Sequence, residues 1–79
     1  MSHEERLINC FKNVFPELRD DEVRRATSHS VADWDSVAMV TLVTLVDEEF
    51  GLQMPPENFE EMMSFELFLV WIQENLHDA

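Results

Sequence analysis

Apolar residues recur every three or four positions over most of the chain, which is the periodicity of helices that bury one face. Leu7, Ile8, Phe11, Val14 and Phe15 follow Ser2-x-x-Glu5, a capping-box pattern, and Pro16 cannot continue a helix. The spacing predicts a first helix over residues 3–15. Cys10, beside Leu7 and Val14 on that helix, reads as a small half-buried hydrophobe. Residues 16–35 are rich in turn and cap types: Pro16, Asp20-Asp21, Thr27, Ser28, Ser30 and Asp33. Twenty structureless residues would be unusual in so small a domain. Val23, Val31 and Trp34 are therefore expected to pin this connection to the core, with a turn of helix around 20–25.

The stretch from Val37 to Phe50 is rich in β-branched residues, which favour strands. Its periodicity argues otherwise. Thr41, Thr44 and Asp47-Glu48 recur at helical spacing, and Val40, Val43, Val46 and Phe50 form the opposite stripe. A helix over 36–50 follows, and Gly51, the single glycine of the chain, stands where a left-handed cap belongs. Met54-Pro55-Pro56 is a rigid connector that can open a short helix over 56–62. Ser64 reads as the N-cap of a last helix over 65–76, with Phe65, Phe68, Leu69, Ile72 and Leu76 turned inward. The expected fold is an all-α, four-helix antiparallel bundle with a long first loop and a short third helix. It forms one domain over residues 1–79.

Composition agrees with one helical core. The chain has 79 residues, 46% of them hydrophobic, too many for disorder and too short a length for a second core. One cysteine cannot make an internal disulfide.

Charge changes the picture more. The net charge is −12, and all five Lys and Arg lie in residues 1–25 beside six acids. Residues 26–79 carry eleven acids and no Lys or Arg. Nucleic-acid binding needs cations to displace counterions, so it is disfavoured, and anionic membrane surfaces are disfavoured likewise. The longest mostly apolar run, Val37 to Val46, is far too short to span a bilayer. The N-terminus does not read as a signal peptide. A cytoplasmic monomer that attracts basic partner surfaces is expected.

Catalytic signatures are thin. His3, His29 and His77 are scattered and make no zinc spacing. Ser36 lacks the glycine-rich turn of a hydrolase nucleophile, and the acidic clusters lack the glycine and ligand spacing of a calcium loop. One junction stands out. Asp35-Ser36-Val37 lies where the long loop enters the second predicted helix. Asp35 there suits an N-cap, and a hydroxyl at an exposed helix N-terminus faces unpaired amides and the positive end of the dipole. A phosphodiester on Ser36 would be well placed electrostatically.

At this point the chain resembles the acyl carrier proteins. Leu7 to Phe15, a long loop, Asp35-Ser36-Val37, and Leu45-Val46-Asp47-Glu48-Glu49-Phe50-Gly51 follow that family's order, and Pro55–Met62 and Phe65–Ile72 match its last two helices. Asp-Ser-aliphatic alone is weak, but the Glu-Phe-Gly element fourteen residues on makes it specific. The resemblance implies a carrier and no enzyme. A phosphopantetheinyl transferase would attach a covalent 4′-phosphopantetheine arm to Ser36, with Asp35 as the flanking cap. The arm's thiol would hold an acyl group as a thioester for acyl-loading and acyl-transfer enzymes with basic or mixed patches. Val37, Thr41, Thr44, Asp47 and Glu48 are then expected at the partner surface. An acyl cavity would draw on Val40, Val43, Val46, Phe50, Met54, Phe59, Met62 and Phe65, although the same residues could fill a closed core. Val31-Ala32-Asp33-Trp34 departs from the Leu-Gly-Gly of peptidyl carriers. Ala38, Thr41 and Thr44 replace the carboxylates common on fatty-acid carriers, which favours a dedicated polyketide, lipid or polysaccharide pathway. The alternative is an unmodified interaction module of the same fold.

Overall fold

In a computed structural model, residues 2–76 are described. Five helical segments follow one another: α1 (His3–Val14), α2 (Asp20–Arg24), α3 (Ser36–Phe50), the 3₁₀ segment α4 (Pro56–Glu61) and α5 (Phe65–Asn75). Three long helices and two short ones make an all-α fold, and no β-strand occurs among the described residues beyond one isolated bridge.

Local chemistry sets the boundaries. Ser2 Oγ accepts the Glu5 amide at 3.1 Å and opens α1. Asp35 Oδ1 accepts the Ala38 amide at 2.8 Å and opens α3, while Gly51 closes it in the left-handed region at φ 66°. Ser64 Oγ accepts the Leu67 amide at 3.1 Å and opens α5. The connection over residues 16–35 does contain a turn of helix, α2, where the Arg19 amide donates to Glu22 Oε1 at 2.9 Å. The short helix after Pro55-Pro56 is 3₁₀, with Asn58 N–H donating to the Pro55 carbonyl at 2.9 Å.

Helix α1 is the organising element, because it packs against α2, α3 and α5. Its Phe11 is fully buried and meets Trp34, Phe65 and Phe68 edge-on, with ring centroids 5.5, 5.3 and 5.5 Å away. Such pairs add to the burial of the rings themselves. Val23, Val31 and Trp34 are buried and anchor the long connection, as their apolar character predicts. Trp71 also joins the core. Ser28 N–H donates to the Met63 carbonyl at 2.8 Å, and Phe65 N–H to the Ala26 carbonyl at 3.0 Å. These bonds tie residues 26–28 to the entry of α5.

One expectation needs correction. Val40 is not part of the buried stripe of α3; it is 53% exposed, and the stripe consists of Leu42, Val43, Val46 and Phe50. At 100° per residue, Val40 falls about a quarter turn from the centre of that stripe. Leu69 and Leu76, the latter the C-cap of the last helix, are half-buried and pack against the core, as their spacing predicts.

Candidate functional site

Ser36 is the first residue of α3 and is exposed. The loop before it is a succession of tight turns, with Trp34 N–H on the Val31 carbonyl at 3.1 Å and Asp35 N–H on the Asp33 carbonyl at 3.0 Å. These turns fix Asp35 in extended backbone, from which its carboxylate reaches the third amide of the helix. The first two amides, of Ser36 and Val37, have no acceptor within the helix. The hydroxyl of Ser36 therefore sits beside free donors and the positive end of a fifteen-residue helix.

Beside Ser36 lies an open groove of about 370 Å³. Ser36, Met39 and Val40 form one wall, Phe59 and Glu60 of α4 another, and Ser28 and Met63 a third, with Trp34 and Asp35 joining them at the loop. Met39 and Val40 follow Ser36 by three and four residues, the spacing that stacks side chains on one helix face. The groove is mostly apolar, and its two carboxylates, Asp35 and Glu60, carry the only charges among its walls.

Of the eight residues expected at an acyl cavity, the structure brings Val40 and Phe59 to the groove. Val43, Val46, Phe50, Met54, Met62 and Phe65 are buried in the core cluster instead. They belong to the same buried cluster as Leu7, Phe11 and Phe68. Trp34, Met39, Met63, Glu60 and Ser28 line the groove and were not among the expected residues. The three- and four-residue spacing from Ser36 could have singled out Met39. Nothing periodic could have found Ser28 or Met63, because their pairing is a contact between distant segments.

The expected partner face divides as well. Val37 is 73% exposed, and Thr41, Thr44 and Glu48 share its side of α3. Both threonine hydroxyls donate back to the helix, Thr41 to the Val37 carbonyl at 3.0 Å and Thr44 to the Val40 carbonyl at 2.9 Å. They offer methyl groups and acceptor lone pairs outward. Asp47 stands apart from these: its half-buried carboxylate accepts the Met54 amide at 3.2 Å, in the loop after Gly51. Three residues on from Thr44, Asp47 lies at the border between the exposed face and the buried stripe of α3. Burial raises its pKa, partly opposed by the Met54 N–H.

Burial pushes the Cys10 thiol up to about 11, with the nearby Glu49 charge adding to it, which keeps the thiol protonated and inert. Among the described residues, no three His, Cys, Asp or Glu side chains come together as they would around a metal ion; His77 lies outside those residues. Among them too, no helix is long and apolar enough to cross a membrane.

A scan against protein-family models gives no match, and a search of curated proteins gives none either.

Proposed function

We propose that this chain is a stand-alone acyl carrier, a four-helix antiparallel bundle that holds acyl groups as thioesters on a 4′-phosphopantetheine arm joined to Ser36. The observation that carries this reading is the exposed Ser36 hydroxyl, at a capped helix N-terminus, on the rim of an apolar groove. Each part has a task. The hydroxyl is open to a modifying enzyme. The first-turn amides and the helix dipole favour a phosphodiester on its oxygen. The groove gives an apolar chain somewhere to shelter from water.

The same surroundings argue for a covalent link over loose binding of an anion. Residues 26–79 hold no Lys or Arg, and Asp35 and Glu60 flank the groove. A free phosphate would meet repulsion there with no cation to oppose it. A bond to Ser36 removes the need for one. The chain itself supplies no general acid or base; a tether raises the concentration of cargo at a docked enzyme. The reading includes a phosphopantetheinyl transferase as the first partner, then acyl-loading and acyl-transfer enzymes of a dedicated pathway, and a monomeric carrier in the cytoplasm. Val37, Thr41, Thr44 and Glu48 form the docking face in this reading.

Co-expression with a phosphopantetheinyl transferase, followed by intact mass measurement, tests it. The chain should gain one arm, and Ser36→Ala should gain none while losing no more than about 0.5 kcal/mol of stability. A wild-type chain that gains no mass would leave an unmodified interaction module as the better description. A Ser36→Ala chain that still gains the arm would move the attachment elsewhere.

A further inference from the structure

Trp34 is the odd member of the groove. Its ring is 7% exposed and packs against Phe11, Phe15 and Phe68, with centroids 5.5, 5.8 and 6.4 Å away. Those contacts account for an aromatic ring at this position. They do not account for an indole, because Nε1–H is buried and has no acceptor. Leaving a buried donor unpaired forfeits its hydrogen bonds to water without replacement, and native structures seldom do so without a reason. A phenylalanine could make most of the same ring contacts without that cost. The unpaired donor belongs to a residue that lines the groove, two positions before Ser36.

We infer that Trp34 Nε1–H is a hydrogen-bond donor kept for the chain that Ser36 carries, and that it donates to a carbonyl oxygen of that chain when the chain lies in the groove. The inference rests on the carrier reading and narrows its cargo. Met39, Val40, Phe59 and Met63 suit the hydrocarbon part, and the two methionines can shift to admit it. Trp34 then gives an otherwise apolar groove one fixed polar contact, the arrangement that confers orientation and selectivity on small-molecule sites. The cargo that fits is neutral at its far end. A carboxylate-ended chain would meet Asp35 and Glu60 with no cation to offset them.

Three kinds of carbonyl could accept this bond: an amide of the arm, the thioester, or an oxo group within the acyl chain. Indole N–H signals of the ¹⁵N-labelled protein distinguish them in four states: unmodified, with the arm alone, with an octanoyl thioester, and with a 3-oxooctanoyl thioester. Trp34 and Trp71 give two signals, assigned by Trp34→Phe or, if that variant does not fold, by Trp71→Phe. The Trp34 proton should move downfield and exchange more slowly in a loaded state, while Trp71 stays in place. A change with the arm alone identifies its amide, a change first seen with octanoyl identifies the thioester, and a change confined to 3-oxooctanoyl identifies the acyl oxygen. In whichever thioester-loaded form shows the change, Trp34→Phe should speed thioester cleavage by hydroxylamine about two- to tenfold, the worth of one neutral hydrogen bond. A Trp34 signal that keeps its unmodified position in every loaded state overturns the inference and leaves the carrier reading intact. A chain that gains no mass on attempted loading removes both.

Discussion

The two ends of α3 are built to opposite specifications. At the C-terminal end, Arg6 of α1 donates from Nε to Glu49 Oε2 at 2.8 Å and from Nη2 to the Glu49 carbonyl, and its guanidinium lies 4.5 Å from the centre of the Phe50 ring. Gly51 turns the chain, and Asp47 ties the following loop back through the Met54 amide. At the N-terminal end the side-chain hydrogen bond is the Asp35 cap, and no Lys or Arg lies in the sequence around it. All five Lys and Arg precede residue 26, and the one that reaches α3 goes to its far end. Anchoring is concentrated where no chemistry is proposed. The end that bears Ser36 is left open to modification and to partners.

The comparison breaks most visibly at Phe50. Its ring is 8% exposed, meets His3 at 5.9 Å and carries the Arg6 guanidinium on its face. Phe50→Ala should cost about 3 kcal/mol or more, a large share of the stability of a 79-residue domain. Urea denaturation would read it as a lower midpoint. A loss below roughly 1 kcal/mol, the typical cost of an ordinary substitution, would show that the C-terminal clamp does not anchor the helix.

At the other end, Asp35→Ala removes the side-chain cap and should cost about 1 kcal/mol, within the usual range for a lost N-cap. Asp35→Asn should recover most of it, since the amide oxygen can accept the same bond. If both variants are equally unstable, the negative charge beside the helix dipole matters more than the cap.

The same asymmetry governs how much could be read along the chain. The bounds of α3, its Asp35 cap, the Gly51 turn and the caps Ser2 and Ser64 were legible because each is a local device with its own residue type. Val23, Val31 and Trp34 were legible as anchors because large apolar residues in a polar stretch have few other uses. The groove was not legible. It is assembled from four separate segments, and its third wall depends on the hydrogen bond between Ser28 and Met63, thirty-five positions apart. The facing of Val40 was misread because the buried stripe of α3 is narrow, and Val40 and Asp47 both sit at its edge. Position along a helix gives the direction of such an edge residue, and the neighbouring elements decide whether it is covered.

The exposed side of α3 offers a smaller effect. Val37, Thr41 and Thr44 present methyl groups and satisfied hydroxyls where charges would favour a basic partner. Replacing all three by Glu should strengthen association with a strongly basic enzyme surface by about tenfold, at roughly 0.2–1 kcal/mol per exposed pair. The gain should fade with added salt. Affinity titrations at low and high salt would measure it. If the unaltered chain already serves the general fatty-acid enzymes at full efficiency, the dedicated-pathway part of the proposal fails and the carrier part stands.

The smallest effect belongs to Asp47 and distinguishes a charged tie from a neutral one at the anchored end. Burial raises the Asp47 pKa above its ordinary 3.8, against the opposing pull of the Met54 N–H. The folded chain therefore holds this proton at a pH where the unfolded chain has released it. Between those two pKa values the folded state binds more protons, so stability falls as pH rises through the window. The contribution is fully present below the unfolded value and gone above the folded one. Asp20 titrates in the opposite sense, because its bond to Lys12 at 2.8 Å lowers its pKa and favours the folded state as pH rises. Asp47→Asn keeps an acceptor for Met54, removes the titration and leaves Asp20 untouched, so the difference between variant and wild type isolates Asp47. The variant should gain on the wild type as pH is raised from about 3 to 6, in urea denaturation series run side by side. Parallel stability curves would mean that Asp47 titrates alike in both states. A variant that loses ground as pH rises would mean that the charged bond to Met54 outweighs burial, and that the anchored end relies on this carboxylate being ionised.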